Sequence, residues 1–461
     1  MTRGELLRRG GALLLAGPAL KLPQLRFADE TVQRFVSRPD LKPAVLTVQQ
    51  AHATAPGYVF LAPSSGPGQR GAMIADNRGD LVWFHPVTHK VVTDFKVQQW
   101  KNKPVLTWWE GKDADGLGDG EWVVVDASYR ELARFSAARG LHGDLHEFVI
   151  TAQNTALVLS NEVVGHDLSS VGGSPGGHVV GGVVQELSLP GGRLLWEWRS
   201  LEHVPVSETE IKAVPGPRFD YFHINSIDVA PDGHLIISGR NTWAAYKVDR
   251  RTGRVRWRLG GKHSDFTFGP GAHFEWQHDV REHAGGLVSV FDNAAAPQEE
   301  PQSRALLLEL DTKRMHVTLR RAFTHSPQPV LSHFLGNVQL LGDGGVFVGW
   351  GGAPYVTEFT QAGAIAFDAR LPSGGQSYRA FRFPWEGRPA GRPALAVRDG
   401  AAYASWNGAT GVSSWRLSDG GVASRTGFET KLALAPQTHS VSVTALDRGG
   451  APLGTSATVA V

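Results

Sequence analysis

Short runs of alternating apolar and polar residues recur along the chain, and six of them share one shape. Each run ends in polar or aromatic residues with glycine or asparagine, and successive runs start 52 to 78 residues apart. The longest interval holds a glycine-rich insertion, Ser169 to Gly182. Alternation with a period of two is typical of β-strands that bury one face. The runs are PVLTWWEG from Pro104, ALVLSNEV from Ala156, HLIISGRN from His234, LVSVFDNA from Leu287, GVFVGWGG from Gly345 and AAYASWNG from Ala401.

Most of these runs are followed by a strand, a polar turn and another strand that has an aromatic residue near its end. YKVDRRTGRVRWRLG and ALLLELDTKRMHVTLRRAF are two examples. Four strands repeated at intervals of about 55 residues are typical of a β-propeller. The sequence therefore predicts an all-β fold, a six-bladed β-propeller. One large β-sandwich, or two of them, is the alternative, but a sandwich gives no reason for six regularly spaced copies.

The two ends of the chain differ from the repeated part. We predict an N-terminal β segment at residues 31–70, the propeller at residues 71–425 and a C-terminal β segment at residues 426–461. The last segment alternates with a period of two around glycine turns. We expect it to pack with the N-terminal strands as a small accessory β-sheet, or to help close the ring.

Residues 1–30 have the features of an export signal. Arg8 and Arg9 precede an apolar run of about 11 residues, which is too short to span a bilayer. The pattern resembles a twin-arginine signal peptide and predicts a secreted or cell-envelope protein. A basic tail without a signal function is the alternative. No other apolar run reaches about 18 residues, so we expect no membrane span in the mature protein.

Composition removes several kinds of chemistry. The chain has no cysteine, which excludes disulfides, zinc–thiolate sites, thioether-linked haem and a cysteine nucleophile. The net charge is +2 and no dense Lys/Arg cluster occurs, so nothing indicates nucleic acid or an anionic membrane as a partner.

Histidines stand at nearly the same place in four consecutive units. His146, His223, His278 and His333 precede the recurrent run of their unit by nine to twelve residues. Equivalent positions of different blades are related by rotation about the axis, so these side chains converge if one of them lies at the mouth of the central channel. A single such histidine is more often a strand-end residue with its hydrogen bonds satisfied. Four in register favour a site.

Arg240 belongs to the same hairpin as His223. The turn at Pro231–Gly233 joins the two strands, so the arginine returns to the side of the histidine. The interpretation as a site residue competes with a surface arginine paired with an aspartate. Asn225 lies two residues after His223, and we expect it to be a polar neighbour of the site.

Tryptophans occur at corresponding positions of several runs. Trp108, Trp109, Trp350 and Trp406 are predicted to form an aromatic wall for a planar substrate, with His333 and Asn225 as further substrate contacts. The alternative is that the tryptophans fill the gaps between blades.

Several histidines with one arginine suit two kinds of chemistry. Imidazole binds zinc, copper or iron. Arginine and protonated histidine also stabilise negative charge on phosphoryl or sulfuryl oxygens, and a neutral histidine is a nucleophile. No glycine-rich phosphate loop is visible, so a nucleotide donor is not indicated. A ligand-binding or scaffold propeller without catalysis is a third reading.

Several motifs occur together in a characteristic order: HINSID, PDGHLIISGR, WRLGGKHSDF, FEWQHDV, LVSVFDNA and YASWNGAT. From about Phe35 to the C-terminus the chain resembles the PAPS-independent arylsulfotransferase family, in particular its actinobacterial and fungal branch. The resemblance implies a six-bladed propeller that transfers a sulfuryl group from a phenolic sulfate ester to a phenolic acceptor. It also implies a ping-pong mechanism through a sulfohistidine, without nucleotide, metal or other cofactor.

The resemblance also implies roles for residues. The family nucleophile matches His278 in WQHDV, the groups on the sulfuryl oxygens match His223 in HINS and Arg240 in ISGR, and a further family histidine matches His146 in LHEF. No role follows for His333. The best-understood members carry an N-terminal sheet domain with a disulfide, whereas this chain has no cysteine and a shorter N-terminal region.

Overall fold

A computed structural model describes residues 31–114, 116–214 and 216–461. The predicted export signal at residues 1–30 lies outside the described residues. The described chain consists of β-strands joined by turns and short 3-10 segments. None of the helices in these residues has the length and apolar character needed to cross a membrane.

The first part of the chain supplies twelve strands and the middle part fifteen. The first are β1 (Thr47–Ala51), β2 (Tyr58–Ser65), β3 (Gly71–Ala75), β4 (Leu81–Pro86), β5 (Val91–Trp100), β6 (Lys103–Ala114), β7 (Leu117–Val125), β8 (Glu131–Phe135), β9 (Gly143–Ile150), β10 (Thr155–His166), β11 (Gly177–Ser188) and β12 (Leu194–Arg199). The next are β13 (Phe219–Asp220), β14 (Ile224–Val229), β15 (Leu235–Gly239), β16 (Ala244–Val248), β17 (Val255–Gly260), β18 (Thr267–Phe268), β19 (His278–Glu282), β20 (Leu287–Asp292), β21 (Arg304–Asp311), β22 (His316–Phe323), β23 (Asn337–Leu340), β24 (Val346–Gly349), β25 (Tyr355–Phe359), β26 (Ile365–Arg370) and β27 (Gln376–Phe383).

The remaining strands belong to the C-terminal part, and the 3-10 segments are spread along the chain. The strands are β28 (Ala394–Arg398), β29 (Ala401–Ser405), β30 (Ser414–Leu417), β31 (Val422–Ser424), β32 (Glu429–Ala433), β33 (Ser440–Val441), β34 (Val443–Leu446), β35 (Pro452–Thr455) and β36 (Val459–Ala460). The 3-10 segments are Ser169–Val171, Ser200–Glu202, Val206–Glu208, Arg240–Thr242 and Ala284–Gly286.

Strand pairing in the described residues gives six four-stranded antiparallel units. Unit A is β27-β2-β3-β4, and units B to F are β5–β8, β9–β12, β14–β17, β19–β22 and β23–β26. Three further strands add to outer positions: β1 pairs with β26, β13 with β11 and β18 with β22. Apolar and polar residues alternate along these strands because the two faces of each unit pack against different neighbours.

The first strand of each unit lies innermost, next to the first strands of the two adjacent units. Each innermost strand contacts the next one around the axis, in the order β27, β5, β9, β14, β19 and β23. β23 in turn contacts β27, so the units close into a ring. Closure leaves few free sheet edges. The predicted all-β propeller fold is confirmed.

The hydrophobic core is divided among the interfaces between units. Residues of units C and D share one cluster, in which Leu157 and Val184 pack with Ile227 and Tyr246. Units D and E share another, with Leu259 and Leu306 among its members. The middle strands of each unit therefore carry apolar residues on both faces. These residues form most of the recurrent apolar runs in the sequence.

The bounds of the ring differ from the prediction. The ring takes in residues 58–383, because β27 pairs with β2 near the start of the chain. The run from Ala401, predicted to belong to the sixth blade, forms β29 and pairs with β28 and β32 outside the ring. The second strand of unit A is instead β2, which had been assigned to the N-terminal segment.

The accessory sheets are formed by C-terminal strands, not by strands from both ends of the chain. They are β28-β29-β32, β31-β30-β34-β35 and β33-β36. The N-terminal residues nevertheless pack on them: the Ser37 N–H donates to Glu429 over 2.6 Å, and the Phe35 and Phe428 rings lie 4.4 Å apart. Side-chain contacts, not a shared sheet, therefore join the two ends.

Candidate functional site

A cavity of about 770 Å³ lies at one mouth of the central channel. Each of the six innermost strands contributes lining residues at or just before its beginning, so the cavity is centred on the ring. These residues are Val91 and Thr93 of β5, Leu145 and His146 of β9, His223 before β14, His278 of β19, Leu335 before β23, and Gln376 and Tyr378 of β27. Arg240 also lines this cavity. The four residues singled out for catalysis therefore lie together.

His146 is held by a carboxylate. Its Nδ1 lies 2.5 Å from Oδ1 of Asp144, and the ring is 1% exposed. Burial alone raises the pKa of Asp144, but the charge of His146 and hydrogen bonds from His146 and Gly118 hold it below its ordinary value. An ionised carboxylate accepts a hydrogen bond from Nδ1–H, so Nε2 is the nitrogen left for chemistry.

His223 has the same arrangement in the next unit. Its Nδ1 lies 2.6 Å from Oδ2 of Asp220, and its backbone N–H donates to the other carboxylate oxygen over 2.9 Å. The backbone of His223 has a φ of +50°, which turns the side chain at the start of β14. Residues other than glycine and asparagine adopt this conformation at a cost, and such positions concentrate at functional sites.

His278 has a neutral partner instead. Its Nδ1 lies 2.7 Å from Oδ1 of Asn293. The Asn293 amide nitrogen donates to the carbonyls of Ser332 and Leu335, so its oxygen must face the histidine. An amide oxygen only accepts, and Nδ1 must therefore carry the proton. Nε2 is then unprotonated, in agreement with the N–H of Leu335 that donates to it over 3.3 Å.

The three histidines are close enough to act on one small group. The rings of His146 and His223 are 5.1 Å apart between centroids, and those of His146 and His278 are 6.4 Å apart. Burial is the largest effect on the pKa of His278, which lies well below its ordinary range, and the positive charges of Arg240 and His146 lower it further. His278 is thus a neutral imidazole with an unprotonated Nε2, whose lone pair accepts the long hydrogen bond from the Leu335 N–H.

Arg240 stands beside His223, as the hairpin predicts. Its backbone N–H donates to the His223 carbonyl over 3.0 Å. The guanidinium lies 4.6 Å over the Trp276 ring and donates to Asn241 and to the His333 carbonyl. Its Nε–H is buried and has no hydrogen-bond partner among the described residues. Burial lowers the pKa of Arg240 to about 10, so the cation persists at neutral pH with donors left for an anion.

The sequence matches a known family across the part of the chain that carries these residues. The family model described as Arylsulfotransferase (ASST) matches residues 96–371, which is more than half of the chain. The chain belongs to the arylsulfotransferase family. Arylsulfotransferase activity on small molecules follows from this membership.

The solved structures that resemble this protein have low sequence identity to it. A protein of unknown function from Bacteroides caccae has a TM-score of 0.43 and 13% identity, and the match covers 70% of this chain and 98% of that one. The periplasmic gluconolactonase PpgL of Pseudomonas aeruginosa has a TM-score of 0.38 and 11% identity, with 88% and 96% covered. Comparison with curated proteins gave no match.

A layer of buried charges closes the channel of this arylsulfotransferase beneath the histidines. Arg379 is fully buried and lies 2.9 Å from Asp94 and 2.8 Å from Glu147. Lys96 bonds to the same two carboxylates, and Arg281 bonds to Glu147 as well. Tyr378 links the two levels, because its ring lies 5.5 Å from the His146 ring and 4.9 Å from the Arg379 guanidinium. Asp279, which pairs with Arg281 and Arg379, is the third carboxylate, so the floor of the cavity balances three cations with three carboxylates.

The four tryptophans do not form a wall of the cavity, which corrects the expectation from the sequence. Trp109 is completely buried and donates to the Gly143 carbonyl, where it joins units B and C. Trp108 and Trp350 are buried in the packing between units. Trp406 belongs to the C-terminal sheets and lines a different cavity. Large rings fill the widening space between twisted sheets, which is the alternative reading.

Two other expected substrate contacts lie elsewhere. The His333 side chain is exposed and does not line the cavity, because His333 lies four residues before β23 whereas His278 is the first residue of β19. Only its backbone carbonyl approaches the site, through Arg240. Asn225 is buried, and its amide donates to the Gln277 carbonyl of the next unit over 2.7 Å. It therefore joins two units and does not face the cavity.

Sequence reasoning missed the carboxylates that hold two of the histidines. Asp144 and Asp220 precede their histidines by two and three residues. That short spacing was a usable signal, because a side chain two or three residues away in a turn or at a strand end reaches the ring. No sequence signal pointed to Tyr378 or to the Leu335 N–H.

Proposed function

We propose that this arylsulfotransferase moves a sulfuryl group from a phenolic sulfate ester to a phenolic acceptor through a sulfohistidine at His278, without a nucleotide. The observation that carries the proposal is the contrast among three neighbouring imidazoles. His146 and His223 have carboxylate partners, and His278 has an amide partner. A carboxylate stabilises an imidazolium through its full negative charge, whereas the neutral amide of Asn293 raises the pKa of His278 too little to offset burial and the nearby cations. His278 therefore keeps the neutral ring that a nucleophile requires.

The first half-reaction starts from the neutral His278. Its Nε2 lone pair attacks the sulfur, the bond between sulfur and the aryl oxygen breaks, and the electron pair leaves with that oxygen. His146 or His223 donates the proton that converts the phenolate into the phenol. The new sulfo-imidazolium keeps its Nδ1 proton, because Asn293 has no site that takes it.

The second half-reaction reverses these steps with a new phenol. The histidine that lost its proton takes the proton of the acceptor hydroxyl, and the phenolate oxygen attacks the sulfur. The bond between nitrogen and sulfur breaks, and its electron pair returns to Nε2. Since the Nδ1 proton stays in place, the leaving group is a neutral imidazole, which leaves more readily than an anionic one.

Arg240 and His223 support the sulfuryl oxygens in both directions. The charge of a sulfuryl group in transfer is spread over three oxygens, so preorganised cationic donors are the main source of stabilisation. Arg240 has a buried Nε–H without a partner among the described residues and lies next to His223. The Leu335 N–H, which approaches Nε2 of His278, is a further donor close to the transferred group.

A transfer assay tests this function. Purified protein with 4-nitrophenyl sulfate and phenol should release nitrophenol and form phenyl sulfate without added nucleotide, and EDTA should not change the rate. The donor and acceptor should show ping-pong kinetics, with parallel lines in double-reciprocal plots. Loss of activity with EDTA that zinc restores would favour a metal-dependent enzyme instead. Binding of aryl sulfates without turnover would favour a ligand-binding propeller.

We propose the cell envelope or the exterior as the place of action. The support is the sequence alone, namely Arg8 and Arg9 before the short apolar run.

A further inference from the structure

The cavity holds more positive charge than a single sulfate ester needs. Besides the histidines, its described lining has four cationic side chains and one carboxylate: Arg70, Lys90, Lys112, Arg240 and Asp113. Arg240 is the cation that serves the sulfuryl group in the proposed function. The others belong to units A and B, whereas the three histidines and Arg240 belong to units C, D and E. We call Arg70, Lys90 and Lys112 the cationic wall.

Two lysines of the cationic wall face each other across a strand pair. Val91 of β5 pairs with Gly111 of β6, so Lys90 and Lys112 are at the next opposed positions of the two chains. Like charges at opposed positions destabilise a strand pair. Lys90 is partly offset, because its Nζ lies 3.1 Å from Glu110. An anion that binds in the cavity beside Lys90 and Lys112 would reduce the repulsion between them.

Two carboxylates near Lys112 in the described part of the chain have hydrogen-bond partners of their own. Asp113 accepts the N–H of Gly116 over 2.8 Å. Asp119, the cross-strand neighbour of Lys112, lies 2.8 Å from Nδ1 of His142. Arg70 and Lys112 form no ion pair within the described ranges, and both side chains are exposed at the mouth of the cavity. The cationic wall therefore has charge available for a ligand.

The size and the third side of the cavity indicate what that ligand is. The volume of about 770 Å³ is within the roughly 300–1,000 Å³ of clefts for drug-sized ligands, and it exceeds what one phenyl sulfate fills. Phe334 and Leu335 of unit F line it with apolar surface, and the Phe334 side chain is 45% exposed. An aromatic ring has room against Phe334, with one polar end at the histidines and another at the cationic wall.

We propose that the preferred substrates are aromatic compounds with a second anionic group, a carboxylate or a second sulfate, and that the cationic wall binds this group. This inference rests on the proposed function, since it places the transferring oxygen at the histidines. The anionic group then lies at the opposite end of the ring system, at units A and B. The second anionic group can belong to the sulfate donor or to the phenolic acceptor, and the assay below distinguishes these two cases.

The experiment compares matched substrates with and without a carboxylate. With 4-nitrophenyl sulfate as donor, the acceptors are 4-hydroxyphenylacetate and 4-methylphenol. With phenol as acceptor, the donors are 4-nitrophenyl sulfate and a nitrophenyl sulfate that carries a ring carboxylate. We expect kcat/KM to be about fivefold to tenfold higher for the carboxylated member of at least one pair, which is the effect of one or two exposed charge pairs. A preference within the acceptor pair shows that the cationic wall binds the acceptor, and a preference within the donor pair shows that it binds the donor.

Charge removal completes the test. In Arg70→Gln/Lys112→Gln the preference should fall to a ratio near one, and raised salt should reduce it in the wild type. Lys103→Gln, at the other end of β6, is the matched control and should keep the wild-type ratio. Transfer without a preference, or an unchanged ratio in the double variant, overturns this inference and leaves the proposed function standing. No transfer between any donor and acceptor overturns both.

Discussion

Nδ1 of His278 lies 2.7 Å from Oδ1 of Asn293, and this pair distinguishes His278 from His146 and His223 in the same cavity. His146 and His223 have aspartates in the equivalent role, at 2.5 Å and 2.6 Å. A carboxylate stabilises the charged form of a histidine ring more than an amide does, and the proposed mechanism therefore uses His278 as the nucleophile and the two others as proton carriers.

Exchange of the amide for a carboxylate should change the pH dependence. In the wild type, burial, Arg240 and His146 keep the pKa of His278 well below its ordinary value of 6.5, so the neutral nucleophile persists as the pH falls through 6.5. In Asn293→Asp a carboxylate stabilises the imidazolium, so the acid limb of kcat/KM should move to higher pH. An acid limb that stays where the wild type has it would show that Asn293 does not control this proton.

Removal of the carboxylates should slow proton transfer. Asp144→Asn and Asp220→Asn retain the shape of the side chain but no longer stabilise a protonated ring. We expect kcat to fall by about 10²–10⁴ with a poor leaving group, and by less with nitrophenol, which needs little protonation to leave. Asp368→Asn is the control, because it removes a buried aspartate from His325 away from the cavity. Equal losses with both leaving groups would assign the aspartates a structural role only.

Loss of the guanidinium should weaken stabilisation of the transition state. Arg240→Gln removes the charge and Arg240→Lys keeps it without the planar fork of donors. We expect kcat/KM to fall by about 10²–10³ in the glutamine variant, with a partial recovery in the lysine variant. Arg314→Gln, at an exposed turn, should have wild-type kinetics. Wild-type kcat/KM in Arg240→Gln would remove Arg240 from the site.

The charged layer beneath the cavity should be essential for stability. In Arg379→Met the buried carboxylates of Asp94 and Glu147 lose a partner, and breaking a buried pair in this way costs about 3–5 kcal/mol of unfolding free energy. Chemical denaturation followed by tryptophan fluorescence measures the change. A loss below about 1 kcal/mol would show that Lys96 and Arg281 are enough to balance the layer.

Much of the fold follows from local patterns, because each unit repeats the same burial on its strands. The five runs from Pro104 to Gly345 are all second strands of ring units. The run from Ala401 has the same alternation but lies outside the ring. Membership in unit A is decided by the pairing of β27 with β2, more than 300 residues apart in the sequence, and no local pattern contains that information.

The position of a residue relative to the start of its innermost strand decides whether its side chain faces the cavity. His146, His223 and His278 lie at or near the start of equivalent innermost strands and line the same cavity. His333 is shifted by a few residues along the chain, and that is enough for its backbone, not its ring, to meet Arg240. Trp108, Trp109 and Trp350 lie near the same end of their strands as the histidines, but their rings pack between the units and do not face the cavity.

Trapping of the sulfo-enzyme tests the central claim most directly. Wild-type protein mixed with a radiolabelled aryl sulfate, without acceptor, and denatured at alkaline pH should retain about one label per chain, in a peptide that contains His278. His278→Asn should fold as the wild type does, retain no label and lose kcat by at least about 10⁴. Label retained by His278→Asn, or mapped to His146 or His223 in the wild type, would contradict the account.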